Sequence, residues 1–228
     1  MRLDYIDNVD CLDGLREIPD KSVDLIVTDP PYMINNHSSM NGKTKIDPWA
    51  DWLNAAHWYA AWFTEARRVL KDTGAMWAFL NWRSMVTYQR AACTAGWPIE
   101  SLLIWDKCWI GPGGKKGLRP SYECVALFAN ADFAIPNRGL PDIQRFKWSS
   151  AKPHGHPAEK PEALTRWLIE QCSEPGAVVL DLFAGSGTTA ESCVRTGRHY
   201  IGFELNPEYH ALALERVASV SEQAAQTP

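Results

Sequence analysis

Val178-Val179-Leu180-Asp181-Leu182-Phe183-Ala184-Gly185-Ser186-Gly187-Thr188-Thr189-Ala190 decides the fold. A run of apolar and β-branched residues enters a glycine turn, and the turn opens a helix. Gly185 and Gly187 allow backbone angles that side chains forbid and let a ligand come close to the main chain. The next strand, over 199–204, ends on Glu204, and a helix follows over 206–220. Working back towards the N-terminus, helical spacing of Trp52, Tyr59, Trp62, Phe63, Ala66 and Val69 predicts a helix over 51–70 with its aromatics in the core. Strands are expected over 23–28, 74–80, 100–106 and 122–129, and helices over 83–95 and 161–172, with Gly96 stopping the first and Pro161 in the first turn of the second. Strands alternating with helices imply an α/β fold of Rossmann-like type, a mostly parallel twisted sheet with helices on both faces.

The segment Gly185-x-Gly187-x-x-Ala190 fits a dinucleotide fingerprint, and Glu204 stands where a carboxylate grips ribose hydroxyls. Two ligands satisfy this pattern, a nicotinamide dinucleotide and S-adenosylmethionine. Asp181 at the mouth of the loop would repel a pyrophosphate, whereas it could accept from an ammonium group. That favours S-adenosylmethionine. Gly42-Lys43-Thr44 resembles the end of a P-loop, but His37 occupies the first glycine position and no strand leads in, so this reading is rejected.

Val23-Asp24-Leu25-Ile26-Val27-Thr28 runs into Asp29-Pro30-Pro31-Tyr32. Proline lacks an N–H, so the strand must stop and a stiff loop begin. Such a loop suits activation of an aromatic amino group, whose lone pair is delocalised into its ring. Hydrogen bonds from the amino hydrogens to Asp29 and the Pro30 carbonyl would draw the nitrogen towards tetrahedral geometry, while Pro31 stiffens the turn and Tyr32 offers a flat face for a flipped base.

With these motifs in this order the chain resembles the DNA amino-methyltransferases that act on adenine N6 or cytosine N4, in the group whose catalytic motif precedes the cofactor motif. Asn8-Val9-Asp10-Cys11 looks like the family's Gly-Asp-Cys element, with Val9 in place of glycine. His156-Pro157-Ala158-Glu159-Lys160-Pro161 is similar to its His-Pro-x-x-Lys-Pro element. The resemblance implies S-adenosylmethionine as cofactor. It implies a cofactor site from Asp10, Cys11, Asp29, Lys160, Asp181, Phe183, Ala184, Gly185, Ser186, Gly187, Thr188, Glu204, Leu205 and Asn206. It also implies adenine N6 as the target, since cytosine members more often carry Ser at the position of Asp29. Cytosine N4 and RNA adenine stay open as alternatives. A dehydrogenase would leave the Pro-Pro tetrad unexplained, and an inactive DNA-binding repressor would not need Asp29. Cytosine C5 chemistry needs a Pro-Cys pair, which the chain lacks. The family often pairs into homodimers.

Net charge is −4, which by itself does not point to nucleic acid. From Lys107 to Lys160, however, nine Lys and Arg face four Asp and Glu, so one basic segment sits on an acidic body. By resemblance, target recognition belongs to a short insertion over 130–155. Contacts to double-stranded DNA are expected from Lys115, Lys116, Arg119, Arg138, Arg145, Lys147 and Trp148, mostly at phosphates. The whole chain is expected to form one domain, with a mobile active-site loop over 33–50 and a flexible tail over 219–228. The six cysteines form no Cys-x-x-Cys pair and no ligand set is evident, so reduced thiols and no metal are expected. With no signal peptide and no run long enough to span a bilayer, a cytoplasmic location is expected.

Overall fold

Parallel strands covered on both faces read as near-continuous apolar runs, because successive side chains enter opposite layers. The computed structural model, which describes residues 1–31, 52–82, 84–113, 115–148 and 159–225, shows this layering. The elements in chain order are β1 (Tyr5–Asp7), α1 (Cys11–Glu17), β2 (Val23–Thr28), α2 (Trp52–Val69), β3 (Leu70–Leu80), α3 (Met85–Thr94), β4 (Ser101–Asp106), β5 (Tyr122–Ala129), β6 (Ile143–Arg145), α4 (Glu162–Cys172), β7 (Val178–Asp181), α5 (Thr188–Thr196), β8 (His199–Phe203) and α6 (Pro207–Ala225). Among the described residues the strands form one eight-stranded sheet in the order β1-β8-β7-β2-β3-β5-β4-β6. β5 is antiparallel to both its neighbours, and every other pairing is parallel.

Ile26, Met76, Ala78, Leu80, Ala126 and Phe128 point into one layer, against Leu15 of α1, Tyr59, Trp62 and Phe63 of α2, and Tyr88 of α3. Their neighbours Leu25, Val27, Trp77, Phe79, Val125 and Leu127 point into the other, against Leu164, Leu168 and Ile169 of α4. A smaller cluster of Ile6, Ala190, Ala213 and Val217 seats α5 and α6 against the β1 edge. Tyr59, Trp62 and Phe63 are fully buried, so the aromatic stripe of α2 is core.

Three features differ from the sequence reading. β1 and α1 lie in a stretch whose short apolar runs give no clear period. β6 lies where no period was visible, and pairs with β4 through three residues. α6 continues to Ala225, beyond the expected helix end at residue 220, with Val220 buried on its inner face. The 33–50 loop, Tyr32, and His156, Pro157 and Ala158 lie outside the described residues. No helix among the described residues is long and apolar enough to cross a membrane.

Candidate active site

In an open parallel sheet, ligands gather at the carboxyl ends of the strands. Here the ends of β1, β8, β7 and β2 lie side by side. They carry Asp10, Glu204, the 181–188 loop and Asp29. The Asn8 side-chain amide donates to the carbonyls of Glu204 and Leu205 at 2.7 and 3.0 Å, which ties the first two ends together. Asp10 caps α1, accepting from Leu12 N–H at 2.8 Å. Beside it, burial pushes the Cys11 thiol up to about 12, so it is an inert packing group. Glu204 Oε2 accepts from Gly185 N–H and its Oε1 from Asn206 N–H, each at 2.8 Å. Each carboxylate oxygen keeps a second lone pair, which suits a ribose hydroxyl. Asn206 in turn caps α6 through Glu208 N–H, and Leu205 beside it is exposed.

The glycine turn is built as its sequence requires. Gly185 and Gly187 have φ of 53° and 81°. A Cβ on Gly187 would meet Ala213 of α6 at 3.1 Å, so this residue joins a left-handed turn to a close helix approach. Asp181 ends β7 at the mouth of the loop. It is buried, and accepts from Thr28 Oγ1 at 3.0 Å, Phe183 N–H at 3.1 Å and Thr189 Oγ1 at 2.6 Å. Two hydroxyls and an amide within reach tie its oxygens to the loop and to β2. Phe183 packs against Trp58 and Trp62, while Ala184 N–H bonds Phe203 O of β8.

Sequence reasoning missed what lies behind this loop. Arg216, on the inner face of α6, donates to Thr188 Oγ1 at 2.9 Å and to Ser186 O and Oγ at 3.3 Å. The same guanidinium pairs with Glu191 of α5 and, at 3.1 Å, with Glu159. A charge on an otherwise apolar helix face, between Ala213 and Val220, was the available signal.

Asp29 stands just past β2 with Pro30 buried behind it. Its Oδ2 is bonded by Lys160 Nζ. Its Oδ1 is buried and has no hydrogen-bond partner. Tyr59 O–H donates to the Pro31 carbonyl and steadies the turn. Lys160, expected at the cofactor, bonds Asp29 and lies beside Glu123 of β5, between the two carboxylates. Adjacent residues thus reach two places, Glu159 the arginine behind the 181–188 loop and Lys160 the Asp29 turn.

The basic segment divides. Lys107 and Lys160 are half-buried in ion pairs. Lys115 and Lys116 lie exposed in the β4–β5 connection, which leaves the same edge of the sheet as Asp29. Arg119, in the same connection, donates to Gly111 O at 2.7 Å and Ile110 O at 3.1 Å and so braces the loop. Arg145 pairs with Asp106, and Trp148 stacks on Trp109 with centroids 4.3 Å apart; with Lys147 between them they reach the catalytic edge. Arg138 does not. It lines a cavity of about 530 Å3 beside Glu100, Ser101 and Asn130, at the opposite edge of the sheet.

A doubly wound sheet with one reversed strand, a glycine turn gripped by an acidic strand end, and an Asp-Pro-Pro turn beside it define a methyltransferase of amino groups. The family model described as DNA methylase, for the N6/N4 group, matches residues 23–215, and the chain belongs to that family. S-adenosylmethionine is its cofactor, and the turn bared at Gly185 and Gly187, with Glu204 beside it, fits such a ligand. Among relatives, the chain is 34% identical over 211 residues to YubD of Escherichia coli (strain K12), named as a candidate methylase, covering 92% of this chain and 88% of YubD. It is 30% identical over 252 residues to the DNA adenine methyltransferase YhdJ of the same organism, covering 95% and 83%. Among solved structures, the cytosine-N4-specific PvuII DNA methyltransferase superposes with a TM-score of 0.75 at 18% identity, covering 98% of this chain and 93% of that one.

Proposed function

We propose that the protein methylates adenine N6 within a short sequence of double-stranded DNA. The observation that carries this reading is Asp29, one of whose oxygens is held by Lys160 while the other is buried with no partner. A buried carboxylate oxygen left without a donor is costly in the resting protein. It is well used when a substrate N–H arrives to fill it. The target base rotates out of the duplex, and its amino hydrogens meet Asp29 Oδ1 and the Pro30 carbonyl. The two acceptors pull the nitrogen from planarity and free its lone pair. Tyr32 stacks on the ring. The cofactor, when bound, would supply an electrophilic methyl group from its sulfonium, whose sulfur would keep the bonding pair and leave as a neutral thioether. The nitrogen gains that methyl and gives up one hydrogen as a proton towards Asp29 or water. Because the prolines and Tyr59 hold the acceptors in place beforehand, little reorganisation is needed at reaction.

Adenine is favoured over cytosine N4 by the Asp at position 29 and by the similarity to YhdJ. The cytosine-N4 reading is the alternative, since the overall shape is shared with an enzyme of that specificity. In this proposal the 130–155 segment carries target recognition. Lys115, Lys116, Lys147 and Trp148 meet the duplex, and the working form is a homodimer in the cytoplasm.

Methyl transfer from labelled cofactor to DNA tests the role of Asp29. Asp29→Ala should lose turnover by at least about 100-fold while cofactor binding by calorimetry stays close to wild type. Turnover retained in this variant would remove the assigned role.

A further inference from the structure

Lys160 Nζ touches Asp29 Oδ2 on one side and lies 3.6 Å from Glu123 Oε2 on the other. The second distance is an ion pair and too long for a hydrogen bond. Glu123 Oε1 in turn accepts from Lys107 Nζ at 2.6 Å. Read along the sheet edge, Lys107, Glu123, Lys160 and Asp29 alternate in sign, and they come from the end of β4, the start of β5, the approach to α4 and the end of β2. Their side chains are only 14, 20, 11 and 24% exposed. The ring of Phe79 on β3 lies 5.0 Å from Lys160 Nζ and closes that side. Buried charges persist only when each has an opposite neighbour, so the row stands or falls together.

We propose that Glu123 is a positioning residue for the methyl-transfer reaction: it draws Lys160 aside so that the ammonium takes one oxygen of Asp29 and leaves the other for the target amino group. This rests on reading Asp29 as the acceptor. An ammonium is a compact charge with three rotatable donors and has no built-in preference between two carboxylate oxygens. With Asp29 as its single anion it would settle between them and block Oδ1. A second carboxylate on its far side fixes it off centre. Lys107 anchors that carboxylate and keeps the row electrically balanced.

The charges facing Lys160 also set its titration. Burial lowers the Lys160 ammonium, but Asp29 of β2 and Glu123 of β5 carry it above its ordinary range. Lys107, just past β4, acts on it through Glu123, and Glu159 is turned to Arg216. Removing the charge of Glu123 therefore makes Lys160 easier to deprotonate, and the alkaline limb of turnover should move to lower pH.

The test compares wild type, Glu123→Gln, Lys160→Gln, the double variant and Asp29→Ala, with kcat against pH, cofactor Kd by calorimetry and thermal midpoints. Glu123→Gln should lower kcat about 10- to 100-fold, leave cofactor Kd within about twofold, and shift the alkaline limb down. In the Lys160→Gln background the same substitution should add less than about twofold, because Glu123 acts through Lys160. Wild-type kcat, an unmoved alkaline limb, or losses that multiply in the double variant would each overturn the proposal. Should Glu123→Gln not fold, Lys107→Met loosens Glu123 from its other side: lowered kcat at unchanged cofactor Kd supports the role, and wild-type kcat contradicts it. If Asp29→Ala keeps turnover, it is the reading of Asp29 that fails. If Asp29→Ala is silent and Glu123→Gln behaves as wild type, only the role of Glu123 fails.

Discussion

Asp181 shows how a residue can be legible as a type and illegible as a role. Its place before a glycine turn marks it as part of the cofactor strand, but its three donors are set by Thr28, which is far away in sequence, as well as by Phe183 and Thr189. Burial pushes its carboxyl up to about 6 from an ordinary 3.8, against those hydrogen bonds, which lower it. The folded protein therefore holds this proton more tightly than the unfolded chain. Between about pH 4 and 6 the stability it lends is lost as pH rises, by up to about 3 kcal/mol in all. Urea titrations of wild type and Asp181→Asn across that window should show wild type losing stability with rising pH relative to the variant; parallel profiles would contradict this. Arg216 was hidden more deeply. Its side chain is 3% exposed between Glu159 at 7% and Glu191 at 8%. Burial would raise the carboxyl of Glu191, yet Arg216 and Arg195 hold it below its ordinary range. Arg216→Met removes the cation that Glu159 and Glu191 share and should cost about 3–5 kcal/mol, read as a lower urea midpoint, with weaker cofactor binding as Ser186 and Thr188 lose their support. Asp29 and the prolines, by contrast, stand out in the sequence because a strand end, a missing N–H and a carboxylate fall in consecutive residues.

At the scale of elements, periodicity found those that bury one continuous face. α2 and β5 lie within a residue of their expected bounds, since Tyr59, Trp62, Phe63 and Ala66 recur at helical spacing and Cys124 to Phe128 form an unbroken buried run. β6 was invisible because three residues with Ile143 and Arg145 exposed carry no pattern; what makes it a strand is the free edge of β4. α6 outruns its expected end because Val220 finds a place in the core and carries the helix past it. The basic segment was legible as a charge excess but not as separate parts, since ion pairing depends on which strand ends meet. The β4–β5 connection keeps the two exposed lysines, Lys115 and Lys116, on the catalytic edge. If both meet phosphates, changing them to Ala should weaken DNA binding at every sequence alike. It should also reduce the slope of log Kd against log salt by about 2. An unchanged slope would place the duplex elsewhere.

For the whole molecule, the strand order matters more than any single contact. Placing β1, β8, β7 and β2 side by side gathers residues 10, 204, 181–188 and 29, which the sequence spreads over most of the chain. The reversal of β5 brings its first residues, and with them Glu123, to that same edge. The glycine turn made the α/β class readable from the sequence. The antiparallel strand that completes the charge row behind Asp29 was not, because nothing local to residues 122–129 reports its direction. The negative net charge is a sum over the whole chain and does not report where the exposed Lys115, Lys116 and Lys147 stand. The most direct measurement is single-molecule sequencing of DNA from cells that express the protein, beside cells that express Asp29→Ala. Methylated adenines confined to one short motif, and absent with the variant, are the expected result; methylated cytosines, or the same adenines with the variant, would contradict it.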